Sequence, residues 1–398
     1  MPDSTNRLPR SVFLMVAFVA ATLLSVFLWS KHGSTAPASG ITLDKFIELT
    51  ESGKLHPSIN TRQITNQCPP YIDSTVRVAR EQRMTIGPND NWIAAIEHAT
   101  PHTEILLRDG RYVLDRHAVV VRDHITIRSV SGRKEQVIIT GTGYSTPGEG
   151  LMIVGKDVIV ADLSIAEMRD HAVSIKPEQG ANSSIRLYNI HLYDIGTQHI
   201  KLNVGGSTGG LVACSTIGYT AGGAVGDYNG AIDLHQASNW TVRDNLIYNV
   251  RGDGSGCNVD RDCGRYYSGP AILVWNQSND NRIIRNRIFD SYRNIALGLG
   301  RGHTNGMVAD NIILQAKPGD AGIELQTATN TVVENNIVIL AGSYPGAIEY
   351  RDSSDIIIRD NQITSNPHNR GQSRNVHLQR NSINPQLYKS LAEPQSKP

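Results

Sequence analysis

Short alternations of apolar and polar residues recur along the second half of the chain in a fixed order. Four stretches align with little adjustment: GAIDLHQASNWTVRDNLIYNV, GPAILVWNQSNDNRIIRNRIFD, AGIELQTATNTVVENNIVIL and GAIEYRDSSDIIIRDNQITS. Each reads as a strand of period two, a polar turn, a second short strand, an asparagine and a third short strand. The asparagines are Asn245, Asn286, Asn311, Asn336 and Asn361, and the last three steps are 25 residues each. Upstream the same slot falls on Asp162, Asn189 and Ser215. Alternation puts Ile232 and Leu234, Ile323 and Leu325, or Ile348 and Tyr350 on one face. One coil cannot bury that face, whereas coils stacked in parallel at about 4.8 Å close a continuous interior. The recurring asparagine is then expected in the left-handed conformation at the bend, bonded to its copies above and below. A run of unrelated hairpins would not keep it in register, because hairpin connections are short.

Composition agrees with many short strands and turns: 36 glycines and 6% aromatic residues. The 38 basic and 37 acidic residues nearly cancel, so no global field recruits nucleic acid, and any anionic substrate must be held by local charge. Residues 11–30 are apolar and uncharged apart from the flanks, with Arg7 and Arg10 ahead of them, and predict a transmembrane signal anchor. The expected order is a cytoplasmic N-terminus (1–10), the anchor (11–30), a linker (31–75) with a short helix around Leu43 to Leu49, the solenoid (76–384) and a disordered tail (385–398). This places the chain as a single-pass protein of the inner membrane, its C-terminal domain periplasmic or extracellular. Cleavage after Ala36-Pro37-Ala38 is the alternative. Cys257 and Cys263 are expected to staple a loop and Cys68 and Cys214 to form a long-range pair, as suits an exported protein.

The repeats resemble the pectate-lyase-like superfamily of right-handed parallel β-helices, over roughly Val76 to Asn381. The entry segment fits: NDNWIAAIEHAT resembles the helix that caps the first coil, and EILLRDGRYVL the opening strands. The resemblance implies an all-β, single-stranded right-handed parallel β-helix with an N-terminal capping helix, binding polymers along the outer face of the first sheet. It is a likeness of architecture, and fold does not dictate reaction. The clustered aspartates and Gly-His-Gly of polygalacturonases are missing, which disfavours two-carboxylate hydrolysis. Asp-Pro-His-Asp of alginate epimerases is absent, as are Trp-Ile-Asp-His and Arg-x-Pro-x-x-Arg of secreted pectate lyases.

By alternation, one outward column runs Ser174, Lys201, Asp233, Leu273, Ala296, Glu324 and Glu349; its neighbour runs Lys176, Asn203, His235, Trp275, Gly298, Gln326 and Arg351. The densest chemistry lies around His235, Lys201, Asp233 and His199, the expected catalytic group. Eliminative cleavage of a uronic-acid polymer needs a base for the proton α to the carboxylate and positive charge for the resulting enolate. Lys176, Asn203, Trp275, Gln326, Arg351 and Arg301 are the expected substrate contacts, with Trp275 a flat platform for a sugar ring. The insertion from Arg251 to Ser268 brings Arg261, Arg265, Tyr266 and Tyr267 beside the groove. Glu324 and Glu349, on adjacent rungs, are a candidate Ca2+ pair, with compensation by Arg351 the plainer reading.

A lyase on acidic polysaccharide is the leading expectation. A uronate epimerase would share the proton abstraction. A non-catalytic, glycan-binding or envelope-structural solenoid would need neither base nor acid, and Lys176 and Lys201 would then be edge charges only.

Overall fold

The computed structural model describes residues 41–53, 55, 68–143, 147–179, 183–224, 229–252, 268–341 and 346–392. All of them fall in one compact unit that begins at Ile41. Among them, strands form one sheet of 24 and one of 11, and the described pairings are parallel throughout. The coils stack as a parallel β-helix.

The wall that carries the groove contains β1 (His171–Ile175), β2 (Gln198–Leu202), β3 (Gly230–His235), β4 (Pro270–Trp275), β5 (Arg293–Thr304), β6 (Ile323–Glu334) and β7 (Ile348–Arg351). Their register stacks Ser174, Lys201, Asp233, Leu273, Ala296, Glu324 and Glu349 in one column. His235 pairs with Trp275, and Gly298 with Gln326 and then Arg351. Period two drives this arrangement: Ile200, Ile232, Ile272, Ile295, Ile323 and Ile348 fill the interior on the opposite face.

At the bend before the third strand, Asn245, Asn286, Asn311, Asn336 and Asn361 are fully buried. Each donates its amide to the carbonyl oxygen of the next: 2.9 Å for Asn245 to Asn286, 3.0 Å to Asn311, 2.9 Å to Asn336, 3.0 Å to Asn361 and 2.9 Å to Asn381. The left-handed backbone expected of these asparagines belongs instead to the residue before each: Asp244, Arg285, Asp310, Asn335 and Asp360. Chain reversal and inward amide are thus divided between two neighbours, and four of the five reversing residues are Asp or Asn, which tolerate that conformation. Upstream the slot expected at Asp162, Asn189 and Ser215 is kept only by Ser215: Asp162 and Asn189 align with Cys214 and Asp244 as left-handed residues, while Leu163 and Ile190 fill the slot. Asp162 accepts from Asn189 (2.7 Å) and from the Tyr71 backbone (2.9 Å).

The helix α1 (Leu43–Glu51), with Thr42 as N-cap, lays Phe46 on an outward apolar patch of the second sheet made by Leu246, Tyr248, Phe289, Ile312, Leu314, Ile337 and Ile339. Helix α2 (Trp92–Glu97), capped by the Asn91 side chain, closes the N-terminal end with Trp92, Ile93 and Ile96. Helix α3 (Leu387–Ala392), within the stretch expected to be a disordered tail, docks Leu387 on the patch that α1 covers. Both terminal helices are held there by apolar area that would otherwise face water. Cys68 and Cys214 form a disulfide across 146 residues, and Cys257 and Cys263 lie outside the described residues.

The membrane expectation is corrected. No helix among the described residues is long and apolar enough to cross a membrane, and residues 11–30 lie outside them. Among the described residues the fold is an all-β solenoid with helical additions and without a transmembrane helix. The single-pass inner-membrane location and the membrane as a partner, both of which rested on that anchor, are corrected with it: no spanning helix among the described residues supports them.

Candidate functional site

Three successive rungs bring the chemistry together. Lys201 on β2 donates to Asp233 Oδ2 on β3 at 2.5 Å, and its Nζ lies 3.2 Å from His235 Nε2. Trp275 on β4 donates its indole N–H to the other oxygen, Asp233 Oδ1, at 2.9 Å. The His235 and Trp275 rings are 4.3 Å apart, tilted by 56°. Asn276 Nδ2 stands 3.4 Å from His235 Nδ1. The Lys201 and His235 side chains are 12% exposed and that of Asp233 is 6% exposed, so the cluster meets solvent only at its rim.

Burial depresses the His235 imidazole below its ordinary range; the Asp233 carboxylate opposes this and the Lys201 ammonium adds to it. A neutral imidazole therefore sits beside an ammonium whose counter-ion, Asp233, also comes within 3.8 Å of His235 Nε2 through Oδ1. Trp275 is no open platform: it is half-buried, and Gly300, at φ +54, lies so close that an added Cβ would stand 3.4 Å from the indole.

His199 is corrected. It is fully buried, in the slot one residue before Ile200 that Ala172, Ala231 and Ala271 occupy on their rungs. Its Nδ1 meets Gly230 O at 2.9 Å, its Nε2 Gly218 O at 3.2 Å, and its ring packs edge-on against Tyr219. Burial holds it down at about 4. Strict alternation fails at this position on all four rungs, where the residue before the interior Val173, Ile200, Ile232 or Ile272 is itself buried.

The expected substrate contacts are spread along the wall. Lys176 is ion-paired with Glu149 at 2.8 Å, and Ser174 donates to the same oxygen at 3.1 Å. Asn203 donates to Glu178, and the exposed Arg301 reaches Gln277 at 3.5 Å. Arg351 bonds Gln326 and lies 3.9 Å from Glu324. Arg293 bonds Glu324, and Arg370 pairs with Glu349 at 2.9 Å. Guanidinium groups thus already engage both members of the candidate calcium pair, and no cluster of three or more potential ligands occurs among the described residues. These carboxylates do not fit a calcium ion. Burial raises Glu349 above the usual carboxylate range, against Arg370.

Sequence reasoning missed Glu149, which lies level with His171 and commits Lys176. It also missed a pocket of about 200 Å³ beside Asp233 and Trp275, lined by Gln198 and Leu299 among others. Register upstream of Asn189 is weakly marked, and a pocket formed by four rungs has no local signature. Arg261, Arg265, Tyr266 and Tyr267 lie outside the described residues.

Stacked parallel coils with a polar cluster on the outer wall define the class by fold alone: a parallel β-helix. A family profile described as "Right handed beta helix region" matches residues 252–383. Among solved structures, a polygalacturonase from Erwinia carotovora is 12% identical, covering 77% of this chain and 96% of its own, with a TM-score of 0.49. An alginate lyase from Paenibacillus sp. is 12% identical over 76% and 99%, TM-score 0.46. The A-module of an Azotobacter vinelandii mannuronan C-5 epimerase is 9% identical over 70% and 88%, TM-score 0.43. None of the curated proteins compared matches the chain. Likenesses this distant say nothing of the reaction.

Proposed function

We propose that this protein acts on a uronic-acid-containing polysaccharide, as a lyase that cleaves by β-elimination. The observation that carries the reading is the neutral imidazole of His235, 3.2 Å from the Lys201 ammonium at the rim of the groove. Arrival of a uronate draws Lys201 from His235 Nε2 to the sugar carboxylate, freeing the ring nitrogen. His235 takes the proton on the carbon α to that carboxylate, and Lys201 stabilises the electron pair as it spreads into the carboxylate. Collapse of the pair forms the carbon–carbon double bond and expels the glycosidic oxygen, which takes a proton from water. Asp233, gripped by Lys201 and Trp275, sets the position of both.

Abstraction followed by reprotonation on the opposite face would give epimerisation from the same cluster. The test incubates the full chain with alginate, polygalacturonate and glucuronate-containing polymers in deuterated water. Ultraviolet absorbance of unsaturated ends indicates lysis, and deuterium at the carbon α to the carboxylate without new ends indicates epimerisation. Binding with neither signal would overturn catalysis in favour of a glycan-binding solenoid.

A further inference from the structure

We infer that the pocket beside Asp233 and Trp275 is a subsite for the acetamido group of an N-acetylated sugar, so that the polymer combines uronic acid with N-acetylhexosamine. The inference rests on the uronate-polymer reading above. The pocket, of about 200 Å³, opens next to the Lys201–His235 cluster. Pro270, Leu273, Leu299 and the Trp275 indole supply apolar wall. Gln198 supplies the polar element: the residue is only 4% exposed, and its Oε1 has no hydrogen-bond partner.

A buried, unanswered acceptor is costly, and a ligand donor that meets it recovers that cost. The substituent that fits must therefore carry a donor and an apolar end within a few atoms of each other. An acetamido group has both, its N–H for Gln198 Oε1 and its methyl for the leucines. O-acetyl and methyl-ester groups lack the N–H. A free ammonium would bring a charge against apolar wall, while the one carboxylate there, Asp233, is already engaged by Lys201 and Trp275. A second carboxylate finds no free cation, since Arg293 is bonded to Glu324 and lies 3.2 Å from Asp320. Asp233 and Leu273 are register partners, so the acetamido sugar would lie about one rung, roughly 4.8 Å, from the uronate at His235.

The experiment is calorimetric titration of the full chain with oligosaccharides of N-acetylheparosan, with the same oligosaccharides after N-deacetylation, and with alginate and polygalacturonate oligosaccharides. N-acetylated chains should bind at least about tenfold more tightly than deacetylated ones, as one satisfied buried hydrogen bond plus a buried methyl provides. Gln198→Leu should bring that ratio towards one, and Leu273→Phe, which fills the pocket, should lower affinity for the N-acetylated chain by a similar factor; thermal melts of both variants report on folding. Equal affinity of the wild-type protein for acetylated and deacetylated chains overturns the subsite but leaves the uronate reading standing. Failure to bind any of the uronate polymers overturns both.

Discussion

Replacing Asn311 by alanine tests whether the asparagine file holds the stack together. Its amide donates to Asn336 Oδ1 at 2.9 Å and to Ile283 O at 2.9 Å, while its own oxygen accepts from the Asn286 backbone at 2.9 Å and the Asn286 side chain at 3.0 Å. Four hydrogen bonds vanish in a site closed to water. At about 1 kcal/mol net each, and with the buried Asn286 N–H left unanswered, the loss should be about 3–5 kcal/mol. Asn381, the last of the file, offers an internal control. It makes three comparable bonds, to Ile358 O and from the Asn361 backbone and side chain, but it is partly exposed, so water can replace them. Asn381→Ala should cost only about 1 kcal/mol. Urea unfolding of both variants, followed by circular dichroism with a check that the slope is unchanged, reads the difference. Equal losses at the two positions would show that burial of the ladder contributes nothing special, and the reasoning would fail.

His235→Ala should lower turnover at least about 100-fold with only a small fall in melting temperature, since the ring lies outside the interior and what packing it loses is chiefly that on Trp275. Lys201→Ala should lower turnover too, but it leaves the nearly buried Asp233 without its cation and should cost about 2 kcal/mol of stability; adding Asp233→Asn should restore most of this, and a double variant as unstable as the single one would refute the argument. Because His235 must be neutral and is held below its ordinary range, the acid limb of kcat/KM should lie below about pH 6.5. Asp233→Asn, removing the one charge that opposes the depression, should move the limb lower still; a shift upwards in the pH–rate profile contradicts the assignment. His199 has a folded value of about 4, so the unfolded chain binds more protons between there and about 6.5, and stability should fall as pH drops through that window. His199→Ala should flatten that part of the pH–stability curve. Reduction of Cys68–Cys214 should lower stability by about 3 kcal/mol, read as a fall in urea midpoint with dithiothreitol.

The column assignments held wherever strand period two was unbroken: Lys201, Asp233 and His235 face the groove because Ile200, Ile232 and Leu234 must face the interior. His199 shows where that logic ends. It precedes Ile200 by one residue, yet its side chain is fully buried, as are Ala172, Ala231 and Ala271 at the same level on neighbouring rungs. Trp275 shows a second limit, because its outward direction was legible and the close approach of Gly300 from β5 was not. The Lys176–Glu149 pair and the Gln198 pocket join residues from different rungs, and nothing local in either partner announces the other.

Periodicity alone determined that this chain winds into stacked coils, because a face of alternating isoleucine, leucine and valine can be buried only by copies of itself, and an asparagine recurring every 25 residues can be satisfied only by its neighbours. Tertiary structure decided which charges neutralise one another, which outward side chains are covered, and that both ends of the domain fold back as helices onto the second sheet. Those outcomes depend on distances between residues far apart in sequence. Each is fixed by the stacking of rungs and the packing of loops, to which the order of residues within a single coil is blind.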